Sequence, residues 1–137
     1  PRRRPPPPSA TWTSPGWSYN SGSHATFRKT SALALGSSSD TLAFVDVAPG
    51  HVCMPAFVVG LGWLKGCFFH LPSAQHDGRG VVSFADGHVE AHRWVEEETV
   101  ALARTNWLPN HLTLWLYGNR DLAWLRERAS VEMTLPP

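Results

Sequence analysis

The sequence predicts an α+β fold, in which a small antiparallel β-sheet packs with short flanking helices. Residues 80–94 alternate apolar and polar side chains around Asp86-Gly87, a pattern typical of a β-hairpin. Residues 120–129 follow an asparagine and carry an apolar stripe, which indicates a helix. A chain of 137 residues with 42% apolar content suffices for a single domain with its own core.

The hairpin prediction includes a strand register. An Asp-Gly dipeptide suits the two central residues of a type I′ turn, and such a turn pairs Phe84 with Val89. In the same register Val82 faces Ala91, so these four apolar side chains would be buried together on one face. The opposite face would carry the polar side chains, namely Ser83, His88, Glu90 and His92.

Two further strands and one loop are predicted upstream of the hairpin. Thr41–Val47 is apolar and β-branched, which indicates a buried strand. His51–Val59 indicates a second strand, confined to a sheet edge or a bulge by Pro55. Gly60–Gln75 is apolar and glycine-rich without a regular period, so we interpret it as a loop that packs inward.

Two short helices are predicted downstream of the hairpin. Val95–Arg104 begins with three glutamates, which complement the helix dipole in a first turn. Arg120–Ala129 has Asn119 as its predicted N-cap, with Leu122 and Leu125 on the inner face. Pro109 separates the two helices, and the tail after residue 129 is expected to be irregular.

The N-terminal residues differ in composition from the rest of the chain. Residues 1–16 form a proline-rich arm that is too polar to fold alone, and residues 17–137 are expected to form the globular domain. The aromatic side chains nearest this boundary could anchor the arm onto the body: Trp12, Trp17 and Tyr19. Because the chain starts at Pro1 without a methionine, we expect a processed or truncated product.

Charge and hydropathy exclude two classes of partner. The formal net charge of +1 provides no basis for binding nucleic acid. The chain contains no run of about 18 apolar residues, so no membrane span is predicted.

One group of residues could bind a metal. His76 precedes the hairpin, and Asp86 and His88 lie at its tip, with Asp46 as an additional ligand. Histidine and aspartate side chains ligate zinc and other divalent ions, so a divalent metal ion at the hairpin tip is one interpretation. Turn chemistry by itself explains Asp86 and Gly87, so a purely structural role of these residues is favoured over a metal role.

The cysteines leave two interpretations open. Cys53 and Cys67 could form one disulfide in an oxidising compartment, or they could be two buried thiols. No motif for nucleophilic catalysis or phosphate binding surrounds either cysteine, so the sequence does not predict an enzyme.

The segment from His76 to Glu90 has a histidine, nine intervening residues and then Asp86-Gly87. It resembles the signature of the prepilin-type H-X9-DG proteins, which are pseudopilin-like. The resemblance covers roughly Trp17 to Ala129. Four other segments contribute to it: Phe27-Arg28-Lys29, Phe44-Val45-Asp46, His92-Arg93-Trp94 and Asp121–Leu125.

The resemblance implies a C-terminal globular head of a type II secretion pseudopilin or type IV pilin-like subunit. Members of that family normally begin with a prepilin peptidase site and a long apolar helix, and this sequence contains neither. The resemblance further implies a non-catalytic filament or assembly subunit outside the cell, at the cell surface or in the periplasm. Its partners would be copies of itself or other pilin-like subunits. The alternative is a carbohydrate- or metal-binding surface module, which the seven tryptophans suit.

Overall fold

A computed structural model describes residues 13–14, 17–18, 24–25, 27, 29–53, 56–61, 65–105 and 114–131. Within these residues the architecture is α+β, as predicted, with one three-stranded antiparallel sheet and a few helices. The arm other than Thr13 and Ser14, the side chains of Trp12, Trp17 and Tyr19, and the break at Pro109 lie outside the described residues.

The elements follow one another in a simple order. The strands are β1 (Thr13–Ser14), β2 (Trp17–Ser18), β3 (Leu42–Val45), β4 (Arg79–Phe84) and β5 (Val89–Arg93). The α-helices are α1 (Glu97–Ala103) and α2 (Arg120–Ala129), and the 3-10 helices are Thr30–Leu35 and Pro49–His51. β1 pairs with β2 alone, and the main sheet has the order β3-β4-β5.

The hairpin is present, but its register differs by one residue from the predicted one. Ser83 faces Val89 and Val82 faces Glu90, so the predicted pairing of Phe84 with Val89 is wrong. The backbone N–H of Phe84 donates to the His88 carbonyl at 3.0 Å. Val82 and Phe84 are buried, whereas Val89 and Ala91 are exposed on the opposite face.

The turn chemistry explains this difference. The backbone N–H of Gly87 donates to the Phe84 carbonyl at 3.0 Å, which gives a three-residue connection of Ala85, Asp86 and Gly87. Gly87 has a φ of 94°, whereas Asp86 does not have a positive φ, so the connection is a type I turn followed by a glycine bulge. This turn keeps Asp86 out of the left-handed region, which a type I′ turn would require it to adopt.

β3 is an edge strand, and it is shorter and more exposed than predicted. It pairs with β4, and the register shifts between Leu42 and Phe44. Leu42 and Val45 pack against the core, but the Phe44 side chain is 79% exposed. The prediction of a buried strand is therefore wrong, because only the inner face of the sheet is covered.

The predicted strand at His51–Val59 is not formed at the residues of this segment that the structure describes, 51–53 and 56–59. His51 ends a 3-10 helix, and its buried ring accepts a hydrogen bond at Nδ1 from the Leu71 backbone N–H, at 3.4 Å. Val59 alone forms an isolated bridge, with Phe68. The proline-glycine pair that starts the 3-10 helix turns the chain inward, so the ladder that a strand needs does not form.

The loop between this segment and the hairpin packs inward, as predicted. Residues 66–74 are buried, and they supply Phe68, Leu71 and Ala74 to the core. Their backbone is hydrogen-bonded on both sides: Leu71 accepts from Ala48, and Phe68 donates to Leu114. Buried backbone groups must find partners, so these bonds are what permits a loop to occupy the core.

The helices confirm the local signals in the sequence. The Asn119 side chain accepts a hydrogen bond from the Leu122 backbone N–H at 2.9 Å, as an N-cap does. Leu122 and Leu125 are buried. The core also contains Ala48, Val82, Phe84, Trp94, Ala103 and Leu114.

A buried carboxylate joins the two α-helices. Asp121 Oδ1 accepts from the Val95 backbone N–H at 2.9 Å, and Oδ2 accepts from that of Glu96 at 3.0 Å. These donors precede α1, so the first turn of α2 holds the start of α1 and the end of the hairpin. Arg120 Nε adds an exposed ion pair to Glu96 Oε1 at 2.6 Å.

We expect Asp121→Ala to lower the free energy of unfolding by about 3 kcal/mol, because two backbone donors lose a charged acceptor. Chemical denaturation monitored by circular dichroism measures this change. Glu127→Ala, an exposed position on the same helix, is the control and should change stability by less than about 0.5 kcal/mol. Equal effects of the two substitutions would contradict the role of Asp121.

Two glycines of the hairpin should respond differently to alanine. A Cβ at Gly80 would lie 2.5 Å from the Ser73 carbonyl oxygen and 3.1 Å from Trp94 Nε1, which are hydrogen-bonded to each other. We expect Gly80→Ala to destabilise by about 3 kcal/mol. Gly87→Ala meets no atom within 4 Å and should cost only the backbone strain of about 1 kcal/mol. Thermal denaturation that ranks them in reverse would contradict the close approach of Gly80 to Ser73 and Trp94.

Candidate functional site

The hairpin tip holds an exposed aspartate–histidine pair. His88 Nδ1 donates to Asp86 Oδ1 at 2.7 Å, and the His88 backbone N–H donates to the same oxygen at 3.1 Å. The pKa of Asp86 is lowered, first by the bond from the backbone N–H and then by the ring. The His88 ring stacks on Phe84, with centroids 4.2 Å apart. The tip is therefore a fixed imidazole whose Nδ1 is the donor.

The other two predicted ligands lie away from the tip. His76 lies in the turn before β4, where its backbone bonds with that of Arg79. Because β4 is extended, it separates His76 from Asp86 by roughly 20 Å, and the predicted contact is wrong. Asp46 lies beside Val81, also far from the tip. Among the described residues, no three metal-ligating side chains cluster.

The cysteines do not form the disulfide that was one interpretation of the sequence. Cys53 is exposed and Cys67 is buried, and each contacts a different part of the molecule. Cys67 Sγ donates to the Phe68 carbonyl at 3.4 Å, and burial raises the pKa of its thiol.

Cys53 instead contacts a histidine that the sequence gave no signal for. Its Sγ lies 3.3 Å from Nε2 of His70, a residue 17 positions along the chain. His70 is buried, and its Nδ1 accepts from the Val58 backbone N–H at 2.9 Å. In the neutral ring the proton therefore sits on Nε2 and is donated to the sulfur. No local spacing could have predicted this long-range pair.

An aromatic stack joins the hairpin to α2. It consists of Phe84, His92, Trp94, Trp124 and Arg128. The His92 and Trp124 rings are nearly parallel, with centroids 3.7 Å apart, and Trp94 meets Trp124 edge-on at 5.9 Å. Arg128 covers the ring of Trp124, its Cζ 4.4 Å from the centroid, and ion-pairs with Asp40 at 3.0 Å. This packing fixes the inner face of the sheet.

The opposite face of the sheet is apolar and exposed. The register places Phe44, Ser83 and Val89 in one row across the three strands, and Val81 with Ala91 in the next. Val89 is 62% exposed and Val81 40% exposed. We call Phe44, Val81, Val89 and Ala91 the outer sheet face. Sequence reasoning missed it because the predicted register buried Val89 and Ala91.

A second exposed feature is an aromatic pair in the segment that precedes α2. The rings of Trp115 and Tyr117 are nearly parallel, with centroids 5.7 Å apart, and Tyr117 is 77% exposed. Gly66 permits this arrangement, because a Cβ there would lie 2.5 Å from the Tyr117 ring.

Comparisons with known proteins do not assign a role to any of these features. No protein-family model, curated protein or solved structure matches the chain. None of the helices in the described part of the chain is long and apolar enough to cross a membrane.

We expect the stability to fall as the pH drops below about 6.5, the ordinary pKa of histidine. Burial lowers the pKa of His92, although Glu90 and Asp121 oppose this and Arg128 assists it. The unfolded chain therefore takes up a proton at this residue before the folded chain does, and acid favours unfolding.

Denaturation in urea at a series of pH values between 5 and 8 measures this effect. His92→Phe keeps a ring against Trp124 but cannot titrate, so its stability should depend less on pH in this range. Identical pH dependence in the variant and the parent would show that His92 does not contribute.

Proposed function

We propose that this chain is a non-catalytic assembly subunit, the globular head of a pseudopilin- or pilin-like protein outside the cell or at its surface. The observation that carries the proposal is the outer sheet face. In this proposal, Phe44, Val81 and Val89 contact a neighbouring subunit, either another copy or another pilin-like chain.

The distribution of apolar residues supports an interface on this face. The sheet buries Val82 and Phe84 against α2 on one side, so exposed apolar side chains on the other side do not contribute to the core. Several exposed apolar side chains grouped on one face are characteristic of sites that bind other proteins. At one end of this face, Asp77 contacts both Arg79 and Arg93, at 3.6 and 3.8 Å, and such charges suit the polar rim of an interface.

The geometry of the cysteine–histidine pair supports a role without catalysis. A general base must accept a proton on the nitrogen that faces the nucleophile and usually donates from the other. Here Nδ1 of His70 already accepts a hydrogen bond from Val58, so an imidazolium would place two N–H groups against each other. This ring is therefore a hydrogen-bond donor to Cys53 and not its base.

The resemblance to H-X9-DG proteins supports the same assignment. The Asp-Gly part of its signature serves the hairpin: Gly87 supplies the positive φ of the turn, and Asp86 accepts both hydrogen bonds from His88. A motif that stabilises a hairpin fits a structural subunit better than a catalytic one.

A second candidate function, carbohydrate binding, rests on the Trp115–Tyr117 pair. Exposed aromatic rings in a near-parallel arrangement offer apolar faces on which a sugar can stack. Binding to a polysaccharide that is lost in Tyr117→Ala, in a protein that does not assemble, would favour this function over assembly.

We expect Val89→Lys to weaken association of the protein by at least tenfold, because a lysine would place a charge among the apolar side chains of the interface. Sedimentation velocity over a range of concentrations measures the association. Leu35→Lys is the matched control, since Leu35 is also 62% exposed but belongs to the 3-10 helix Thr30–Leu35 and not to the sheet.

The contrast between the two variants decides the proposal. If they associate equally, the outer sheet face is not the interface. If the unaltered protein is monomeric alone and also in mixtures with other pilin-like subunits, the assembly role itself is contradicted.

A further inference from the structure

A cleft of about 410 Å³ lies beside the second half of α2. Its polar lining includes His24, Arg126 and Glu127, and its apolar lining comes from residues 61, 123 and 131. None of these residues belongs to the outer sheet face or to the aromatic stack, so the cleft is a separate feature of the surface. A volume of this size is within the range of small-molecule sites in proteins.

Arg126 brings a positive charge to this cleft without a counter-ion. Its side chain is half-buried, and its Nε atom is fully buried with no hydrogen-bond acceptor among the described residues. None of the ion pairs in the described part of the chain includes Arg126, whereas Arg120 and Arg128 of the same helix each contact a carboxylate. A guanidinium stays protonated in proteins, so a partly desolvated one without a partner costs free energy that a bound anion would recover.

A role at the end of the helix does not account for Arg126. Basic side chains in the last turns of a helix can donate to its carbonyls and complement its dipole. Arg128 does so, since its Nη1 donates to the Trp124 carbonyl at 3.2 Å. The Nε of Arg126 donates to no described residue. The partner that this cation lacks is therefore to be sought in the cleft.

The apolar wall of the cleft is held in place by the fold. It consists of Leu61, Ala123 and Val131. The Val131 carbonyl accepts a hydrogen bond from the Ala25 backbone N–H at 2.8 Å. Ser130 Oγ donates to the Ala25 carbonyl at 2.7 Å, which fixes the same strip of chain a second time. A wall that is already ordered lowers the cost of binding a ligand against it.

The charges and the apolar wall together select a class of ligand. Glu127 also lines the cleft, and its exposed carboxylate lies 3.5 Å from Arg128 Nη1. One guanidinium opposed by one carboxylate suits a singly charged anion and disfavours a dianion such as hydrogen phosphate. We propose that the cleft binds a small organic carboxylate with a short apolar chain, and that Arg126 pairs with its carboxylate group. This inference does not depend on the assembly role.

Titration with simple ligands tests the cleft. Isotopically labelled full chain is titrated with butyrate, hexanoate, hexanol or inorganic phosphate at about pH 8, where histidine protonation does not contribute. NMR shifts of the Ala123 and Val131 amides and of the Arg126 Nε–H group report binding. We expect hexanoate to bind in the millimolar range, and more tightly than butyrate by about threefold for each additional methylene that is buried. Hexanol and phosphate should bind at least about tenfold more weakly than hexanoate.

Three substitutions on α2 separate the charge of Arg126 from the shape of the cleft. Arg126→Met keeps a long apolar stem but removes the guanidinium, and should weaken hexanoate binding by at least about tenfold. Arg120→Met is the matched control, since Arg120 pairs with Glu96 and does not line the cleft, and its affinity should equal that of the parent. Glu127→Gln removes the opposing charge and should strengthen binding by about twofold.

Each outcome of these titrations decides a part of the proposal. Hexanoate shifts at the cleft, with the expected order of ligands and variants, support it. Absence of those shifts overturns it, and phosphate binding more tightly than hexanoate overturns the assignment to carboxylates. Equal affinity of Arg126→Met and the parent overturns the role of Arg126. If that variant does not fold, equal binding of hexanol and hexanoate to the unaltered protein overturns the same role.

Discussion

The requirement that buried backbone groups be hydrogen-bonded determines the arrangement of this fold. The buried loop at residues 66–74 fills the centre of the molecule without belonging to the main sheet. Its amides and carbonyls bond instead to residues 46–48 on one side and 114–116 on the other. Trp94 Nε1 completes the set by donating to the Ser73 carbonyl at 2.7 Å. The hairpin, the segment before α2 and the end of β3 are thus all positioned by one irregular segment.

Local signals predicted the elements that depend on local chemistry. Asn119 caps α2 as expected, because a cap involves only a side chain and an amide three residues away. The hairpin was also predictable, but its register was not. Gly87 needs a positive φ in either turn type, so it did not decide between them. The alternation of apolar and polar residues favoured the register that buries Val89 and Ala91 with Val82 and Phe84, and the structure adopts the other one. The choice depends on packing against Trp124, which is more than 30 positions away in the sequence.

The candidate sites were less predictable than the fold, for the same physical reason. His76 and Asp86 were grouped because they belong to one motif, yet an extended strand keeps its two ends apart. Cys53 and His70 lie together because the buried loop at residues 66–74 places His70 beside Cys53, a contact that spacing does not reveal. The outer sheet face followed from the register alone, so a one-residue change in pairing converted predicted core residues into a surface.

The shift of register in β3 has a consequence for how molecules of this protein can meet. A regular edge strand offers a continuous row of donors and acceptors to any other extended chain, and it is a common starting point for aggregation. Here the edge is only four residues long, and the irregularity between Leu42 and Phe44 interrupts that row. Uncontrolled addition of strands is thereby discouraged at this edge. At the β3 edge, contact with another chain is therefore left to side chains and does not extend the sheet in an amyloid-like way.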